Sequence, residues 1–214
     1  MPEAEPPPRA RAIAALVLLA APYLLNDVAN IFVHAPVGWL MCDYGSRVFS
    51  LVCLAWLGRR GVIARSDFQL HGAAWWRLVG GTVAATLGGL LLVVGPGRDL
   101  LGLLPQSQVG YIPNITPPWL HAADYWGGIA LVALSEELVF RGAFPGLIAR
   151  AGGSPWVALL ASSAVFGLAH WSLGVGSILQ TALVGLLFGL CAAGSRSLWP
   201  VIIAHYVVDL VAFG

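Results

Sequence analysis

The sequence predicts an all-α fold: a polytopic integral membrane bundle of about seven transmembrane helices. Hydrophobic residues make up 58% of the 214 residues and charged residues only 10%. The mean hydropathy of +0.82 is far above that of a soluble domain. Apolar runs recur along nearly the whole chain, and arginines cluster between alternate runs. These observations together favour a chain that lies almost entirely in lipid.

Seven apolar segments are each close to the roughly 20 residues that a membrane-spanning helix needs. They are residues 11–33, 37–58, 75–95, 124–150, 155–171, 175–193 and 198–213. The first segment follows Arg9 and Arg11, as the core of a signal peptide would. Its apolar character continues to Val33, however, which favours an uncleaved helix.

The domain organisation follows from the same pattern. Residues 1–10 are rich in proline and acidic side chains and are predicted to be a disordered tail. Residues 11–214 are predicted to form a single transmembrane domain. Within it we expect N-terminal helices at 11–95, a loop at 96–123 that is rich in glycine and proline, and C-terminal helices at 124–214.

The arginines predict the orientation in the membrane. With seven spans, one side receives eight arginines: Arg9, Arg11, Arg59, Arg60, Arg65, Arg77, Arg150 and Arg196. The other side receives Arg98 alone. By the positive-inside rule, the N-terminus is predicted to be cytoplasmic. The arginine-rich, alanine-rich composition is typical of a bacterium with high GC content, so a bacterial inner membrane is the expected location. The net charge of +1, without any lysine, predicts no nucleic-acid partner.

Charged residues inside the apolar segments are the unusual feature of this sequence. A carboxylate or guanidinium at the bilayer centre costs about 3 kcal/mol on insertion scales, so each is expected to have a partner or a function. Glu137 and Arg141 are four residues apart and are predicted to pair on one helix face. Glu136 points about 100° away around the helix and is left without that partner. Pro145 and Gly142 predict a kink or break just beyond these charges.

Three further pairs of residues are four positions apart, and each pair contains at least one polar side chain. Phe166 and His170 share one helix stripe, and Asp209 could accept a hydrogen bond from the ring of His205. Asp43 and Arg47 are interpreted as a structural ion pair that could reach an internal cavity. By themselves, these pairs are equally typical of contacts that hold membrane helices together.

Taken in order, the patterns E-E-x-x-x-R, F-x-x-x-H and H-x-x-x-D on successive helices resemble the CAAX-protease and bacteriocin-processing family of intramembrane endopeptidases. The resemblance covers about residues 124–214. It implies a glutamate-type protease that cuts a membrane-associated or lipid-linked protein or peptide, in C-terminal processing or sorting of surface proteins among other roles. The catalytic site would then lie within the last four helices.

The resemblance also implies a role for each site residue. Glu136 and His170 would activate a water molecule, while Glu137 and Arg141 would orient and charge-balance the site. His205 would lie at the oxyanion of the tetrahedral intermediate. Asp209 stands where prenyl-protein proteases of the family carry asparagine, and an ionised aspartate cannot donate to an oxyanion. Asp209 is therefore expected to support His205 or to be protonated.

Other functions remain open at this level. No cofactor is expected, but Glu136, His170 and His205 could in principle hold zinc. The adjacent arginine disfavours a dication, and the sequence has no H-E-x-x-H pair. A transporter could use Glu136, His170 and Asp209 as a proton relay, with Asp43 and Arg47 as a gating pair. A non-catalytic scaffold or immunity protein would have no need for this set of buried charges.

Overall fold

The computed structural model describes residues 9–70, 73–107 and 109–214, so most of the predicted N-terminal tail lies outside the described residues. Within the described ranges the chain is helical, without any β-strand, and the prediction of an all-α membrane bundle is confirmed. The first half contains α1 (Arg9–Phe32), α2 (Pro36–Arg59), α3 (Trp75–Val93) and the short α4 (Pro96–Leu101). The predicted tail is two residues too long, because α1 begins at Arg9.

The second half begins with one long interrupted helix. It consists of α5 (Pro118–Ala123), a π-helical turn, α6 (Ile129–Glu136), a second π-helical turn, and α7 (Phe144–Arg150). Three helices follow: α8 (Pro155–Leu168), α9 (Val175–Ser195) and α10 (Trp199–Phe213). Counting the interrupted helix once, and α4 as a continuation of α3, the described residues contain seven helices at the positions of the seven predicted segments.

The lengths of the helices differ in a way that matters for the site. Four are long and apolar enough to cross a membrane: Arg9–Phe32, Pro36–Arg59, Trp75–Leu101 and Val175–Ser195. The apolar helices α8 and α10 are shorter, with 14 and 15 residues. At 1.5 Å per residue they reach only about 20 Å, less than the roughly 30 Å of the hydrocarbon core. Non-helical backbone at membrane depth is tolerated where it lines a water-filled cavity.

The chain returns repeatedly to two opposite ends of the bundle. At one end, which we call the arginine end, Arg150 binds Asp67 at 2.8 Å and the indole of Trp199 donates to the carbonyl of Leu70. At the other, which we call the loop end, residues 102–107 and 109–117 follow α4 and bond to the end of α1 and to the turn after α8. There the amide of Tyr111 donates to the carbonyl of Asn30 at 2.7 Å. These contacts fix which helix termini share an end.

Two local predictions need correction. The fifth span was predicted to continue to residue 171, but α8 ends at Leu168 and a 3-10 turn, Trp171–Leu173, follows. The predicted kink beyond Arg141 is instead a π-helical segment, Glu137–Ala143, after which the helix continues through Pro145. Proline at position 145 lacks the amide that would bond back to residue 141, and a wider π turn accommodates this loss.

Candidate active site

The buried charges of three helices meet near the middle of the bundle, with the interrupted helix counted once. Glu136 and Glu137 lie where α6 passes into the π-helical segment, and both are almost fully buried. His205 reaches them from α10, and Arg47 reaches them from α2. Each of these side chains lies within the central third of its helix, where few water molecules would reach it from either surface. The arrangement concentrates charge at the depth where charge is most costly.

Glu137 holds His205 and Arg141 together. Its Oε1 atom accepts a hydrogen bond of 2.7 Å from Nδ1 of His205 and lies 3.2 Å from Nη1 of Arg141. The i, i+4 pairing of Glu137 with Arg141 is therefore confirmed. Because an ionised carboxylate can only accept, Nδ1 of His205 carries hydrogen and Nε2 is directed away from Glu137. Glu137 itself is 0% exposed, so it acts on the cavity only through His205.

Arg141 is held mainly by aromatic rings. Its guanidinium lies 4.0 Å from the ring centre of Phe166 and 5.8 Å from that of Phe188, and such cation–π contacts suit a desolvated arginine. Close packing depends on Gly185, since a Cβ atom there would lie 3.2 Å from Nη2 of Arg141. The 3.2 Å approach to Glu137 is poorly aligned for a hydrogen bond. Arg141 thus compensates the charge of Glu137 without constraining its orientation closely.

Glu136 finds its partner on a helix that the sequence motifs did not include. Nη2 of Arg47 lies 3.2 Å from Oε1 of Glu136, and Nη1 of the same guanidinium lies 2.6 Å from Asp43. The predicted Asp43–Arg47 pair is present, but Arg47 also bridges to the motif glutamate. Oε2 of Glu136 remains directed toward the interior, 3.8 Å from Nε2 of His205. One oxygen of Glu136 is therefore charge-balanced and the other faces the cavity.

Asp209 approaches His205 as its spacing predicts. Oδ2 of Asp209 lies 3.4 Å from Nε2 of His205, longer than the 2.7 Å contact with Glu137 on the other side of the ring. The side chain of Asp209 is 18% exposed and lines the cavity. Asp209 is therefore the weaker and more accessible of the two carboxylates that flank this histidine, and Glu137 is the main support of the ring.

His170 lies on the turn that follows α8. Its Nδ1 atom is 3.1 Å from the carbonyl oxygen of Phe166. A carbonyl oxygen can only accept, so Nδ1 donates and Nε2 is left free to bind another group. The ring of Phe166 lies between the two histidines, with centres 5.6 Å from His170 and 6.2 Å from His205. Phe166 thus fixes the spacing between them.

The turn that carries His170 is attached to α1 by a polar network. Oδ2 of Asp27 accepts a 2.6 Å hydrogen bond from the amide of Ser172, and Oδ1 accepts from Asn30 at 2.9 Å. Asn30 in turn donates to the hydroxyl of Ser172 and accepts from the indole of Trp39. Asp27 and Asn30 were not among the site residues predicted from the sequence. Their burial shows that they anchor the short end of α8.

One cavity of about 410 Å³ connects these groups. Glu136, His170, His205 and Asp209 all line it, as does Arg47, while Glu137 and Arg141 lie behind its wall. The six site residues predicted from the sequence all lie within residues 118–214, and α1 and α2 add polar lining to the cavity. Among the described residues, no group of three or more His, Cys, Asp or Glu side chains is arranged to hold a metal ion.

Comparison with known families agrees with this geometry. A family model described as type II CAAX prenyl endopeptidase Rce1-like matches residues 118–211. The match begins with α5 and ends within α10, so it includes the two glutamates and both histidines but excludes α1 to α4. No curated protein and no solved structure matches the chain. Over residues 118–211, the chain is similar to the Rce1-like family of type II CAAX prenyl endopeptidases.

Proposed function

We propose that this protein is an intramembrane endopeptidase in which Glu136 and His170 activate the attacking water. The observation that carries the proposal is the shared cavity, which brings Glu136, His170 and His205 together inside a membrane bundle. The family match supports a protease with a membrane-associated protein substrate. We further propose a bacterial cytoplasmic membrane as its location and the processing or sorting of surface proteins as its role.

The proposed reaction uses Glu136 twice, first as a base and then as an acid. The free oxygen of Glu136 takes one proton from water, while Nε2 of His170 accepts a hydrogen bond from the remaining O–H of the same molecule. The water oxygen attacks the peptide carbonyl carbon and forms a tetrahedral oxyanion. Glu136 then returns its proton to the leaving nitrogen as the C–N bond breaks. Arg47 stabilises the ionised form of Glu136 between these steps.

His205 is proposed to donate to the oxyanion. Its Nδ1–H is already used by Glu137, so donation requires hydrogen on Nε2 as well, which makes the ring an imidazolium. Asp209, 3.4 Å from Nε2, offers a charge that compensates the imidazolium. Glu137 and Arg141 are positioning residues, because they contact His205 and the aromatic wall rather than the cavity.

We assign no metal to this chemistry. The zinc alternative would need Glu136, His170 and His205 as ligands, but a guanidinium already lies 3.2 Å from Glu136. A cation in that position disfavours a divalent ion at the same carboxylate. In addition, Nε2 of His205 faces two carboxylates instead of converging with His170 on one point. The donor set therefore suits side-chain acid–base chemistry better than coordination of zinc.

The proposal predicts that His170→Ala stops processing without unfolding the bundle. We expect uncut precursors of the physiological substrate to accumulate in membranes of cells that carry this variant. Quantitative proteomics of cells with equal expression of wild type and variant would detect them. His34→Ala is the matched control, since His34 is exposed at the loop end and does not line the cavity. Identical profiles for wild type and His170→Ala would count against a protease and favour a scaffold or a transporter.

Asp209→Asn tests how His205 is held in its charged form. Asparagine keeps the size of the side chain but removes the compensating charge beside Nε2. Hydrogen bonds to charged groups contribute roughly 1.5–3 kcal/mol, so we expect turnover to fall by about 10- to 100-fold. The rate of precursor cleavage in purified membranes measures this, with Asp99→Asn at an exposed position as the control. Unchanged turnover would mean that a neutral side chain serves equally well at position 209.

A further inference from the structure

The cavity is open toward one end of the bundle only. Side chains at the loop end line its outer part, among them Asn30, Trp39 and Asn114. On α10 the lining begins at His205 and continues to Phe213, and on α2 it ends at Arg47. No part of the lining lies at the arginine end of either helix. The cavity therefore extends from mid-depth toward the loop end.

Apolar packing closes the opposite direction. Phe140, Phe144 and Leu147 are each at most 2% exposed and follow the two glutamates on the helix that runs toward the arginine end. Phe140 and Phe144 contact each other with ring centres 5.1 Å apart. A polypeptide could not pass through this packing without unfolding it. A substrate must therefore approach from the loop end or from the lipid beside it.

The arginines show which end faces the cytoplasm. Eight arginines outside the bundle core lie at the arginine end. They lie at the start of α1, from the end of α2 to the first turn of α3, and beside the α7–α8 and α9–α10 connections. Arg98 on α4 is the single arginine at the loop end. Short connections with an excess of arginine remain in the cytoplasm during insertion. The positive-inside rule thus assigns the arginine end to the cytoplasmic side.

We infer that the active-site cavity opens away from the cytoplasm and takes substrate segments from the extracytoplasmic side. That a substrate enters this cavity rests on the proposed function, whereas the direction of opening rests on the cavity lining and on the distribution of the arginines. A protein C-terminus that is exposed in the cytoplasm could not reach Glu136 by this route. The substrate class is therefore a secreted or surface-exposed polypeptide near the outer face of the membrane.

The lining also favours a particular charge on the substrate. Five carboxyl groups line the cavity, but only one guanidinium does, that of Arg47. The carboxyl groups are those of Asp27, Asp43, Asp124, Glu136 and Asp209. Three histidines complete its titratable groups. Like charges are disfavoured in a site of low dielectric constant. The cleaved segment is therefore uncharged or basic, without acidic residues beside the scissile bond.

Cysteine accessibility tests the direction of opening without any need for catalysis. In a full-length chain with Cys42, Cys53 and Cys191 replaced by alanine, Asn114→Cys lies at the cavity mouth and Ser66→Cys lies at the arginine end. Both positions are exposed, and neither substitution changes an arginine. In spheroplasts, a membrane-impermeant maleimide should label Asn114→Cys at once and Ser66→Cys only after permeabilisation. The reverse pattern would overturn the inference.

A second measurement tests the substrate class. Protein termini that are present with wild type and absent with His170→Ala should map to extracytoplasmic segments with few acidic residues around the cut. Termini in cytoplasmic segments would overturn the inference, even if labelling agreed with it. Reversed labelling leaves the protease proposal standing. In contrast, correct labelling with no terminus that depends on His170 would reject the proposed function and leave the direction of opening intact.

Discussion

Replacing Glu136 with glutamine should reduce peptide-bond cleavage by about 10²- to 10⁴-fold, the range that general acid–base groups contribute. Glutamine keeps the shape of the side chain and can still accept a hydrogen bond from Arg47, so the bundle should fold normally. What it loses is the ability to take a proton from water and return it to the leaving nitrogen. Both proton transfers of the proposed reaction therefore fail together.

The rate of substrate cleavage in purified membranes measures this effect, and thermal unfolding of the detergent-solubilised protein checks the fold. Asp67→Asn is the matched control, because it also neutralises an acid that is ion-paired with an arginine, but at the arginine end and outside the cavity. If Glu136→Gln kept wild-type turnover and an unchanged melting temperature, Glu136 would have no part in the reaction. Loss of the fold in both variants would show instead that these ion pairs are structural.

Features that depend on spacing within one helix were predictable from the sequence. The Glu137–Arg141 ion pair and the approach of Asp209 to His205 both follow from the α-helical repeat, which places residues four apart on the same face. The seven helices follow from apolar runs of the length that the bilayer requires. In each case the deciding information lies within about 20 residues of chain.

Features that depend on contacts between helices were not predictable in this way. Arg47 is 89 positions from Glu136 in sequence, and Ser172 is 145 positions from Asp27. No periodicity joins such pairs, because their meeting depends on how α1 and α2 pack against the C-terminal helices. A useful signal was nevertheless present. Two adjacent carboxylates and one arginine four residues from Glu137 left Glu136 without a predicted partner. Arg47 was the other arginine near the middle of a predicted span.

The backbone around the site also departs from what local sequence predicts. The π-helical segment Glu137–Ala143 begins at the second motif glutamate, and π turns commonly occur at functional sites. Proline at position 145 indicated a disturbance, but a kink and a wider turn are alternative responses to the same missing amide. Packing against α8 decides between them, since the hydroxyl of Ser162 donates to the carbonyl of Phe140 within the widened turn.

Removing the guanidinium of Arg47 should produce the largest loss of stability of any single change in the site. In Arg47→Met, Asp43 and Glu136 remain at mid-membrane depth with 5% and 4% of their surfaces exposed and without a cation beside them. Breaking a buried ion pair by removing one partner costs about 3–5 kcal/mol, because a charge is left uncompensated. The free energy of unfolding in mild detergent should fall by that amount, and cleavage should cease.

A double variant separates charge compensation from packing. Adding Asp43→Asn to Arg47→Met removes one of the two uncompensated carboxylates, so part of the lost stability should return, whereas cleavage should not, because Glu136 still lacks its cation. If the effects of the two substitutions on the free energy of unfolding simply added, the destabilisation would come from lost side-chain packing instead of charge. Arg98→Met, at an exposed position of α4, should change stability by no more than about 0.5 kcal/mol. A comparable loss in Arg98→Met would show that arginine removal in general, and not the bridge to Glu136, destabilises this protein.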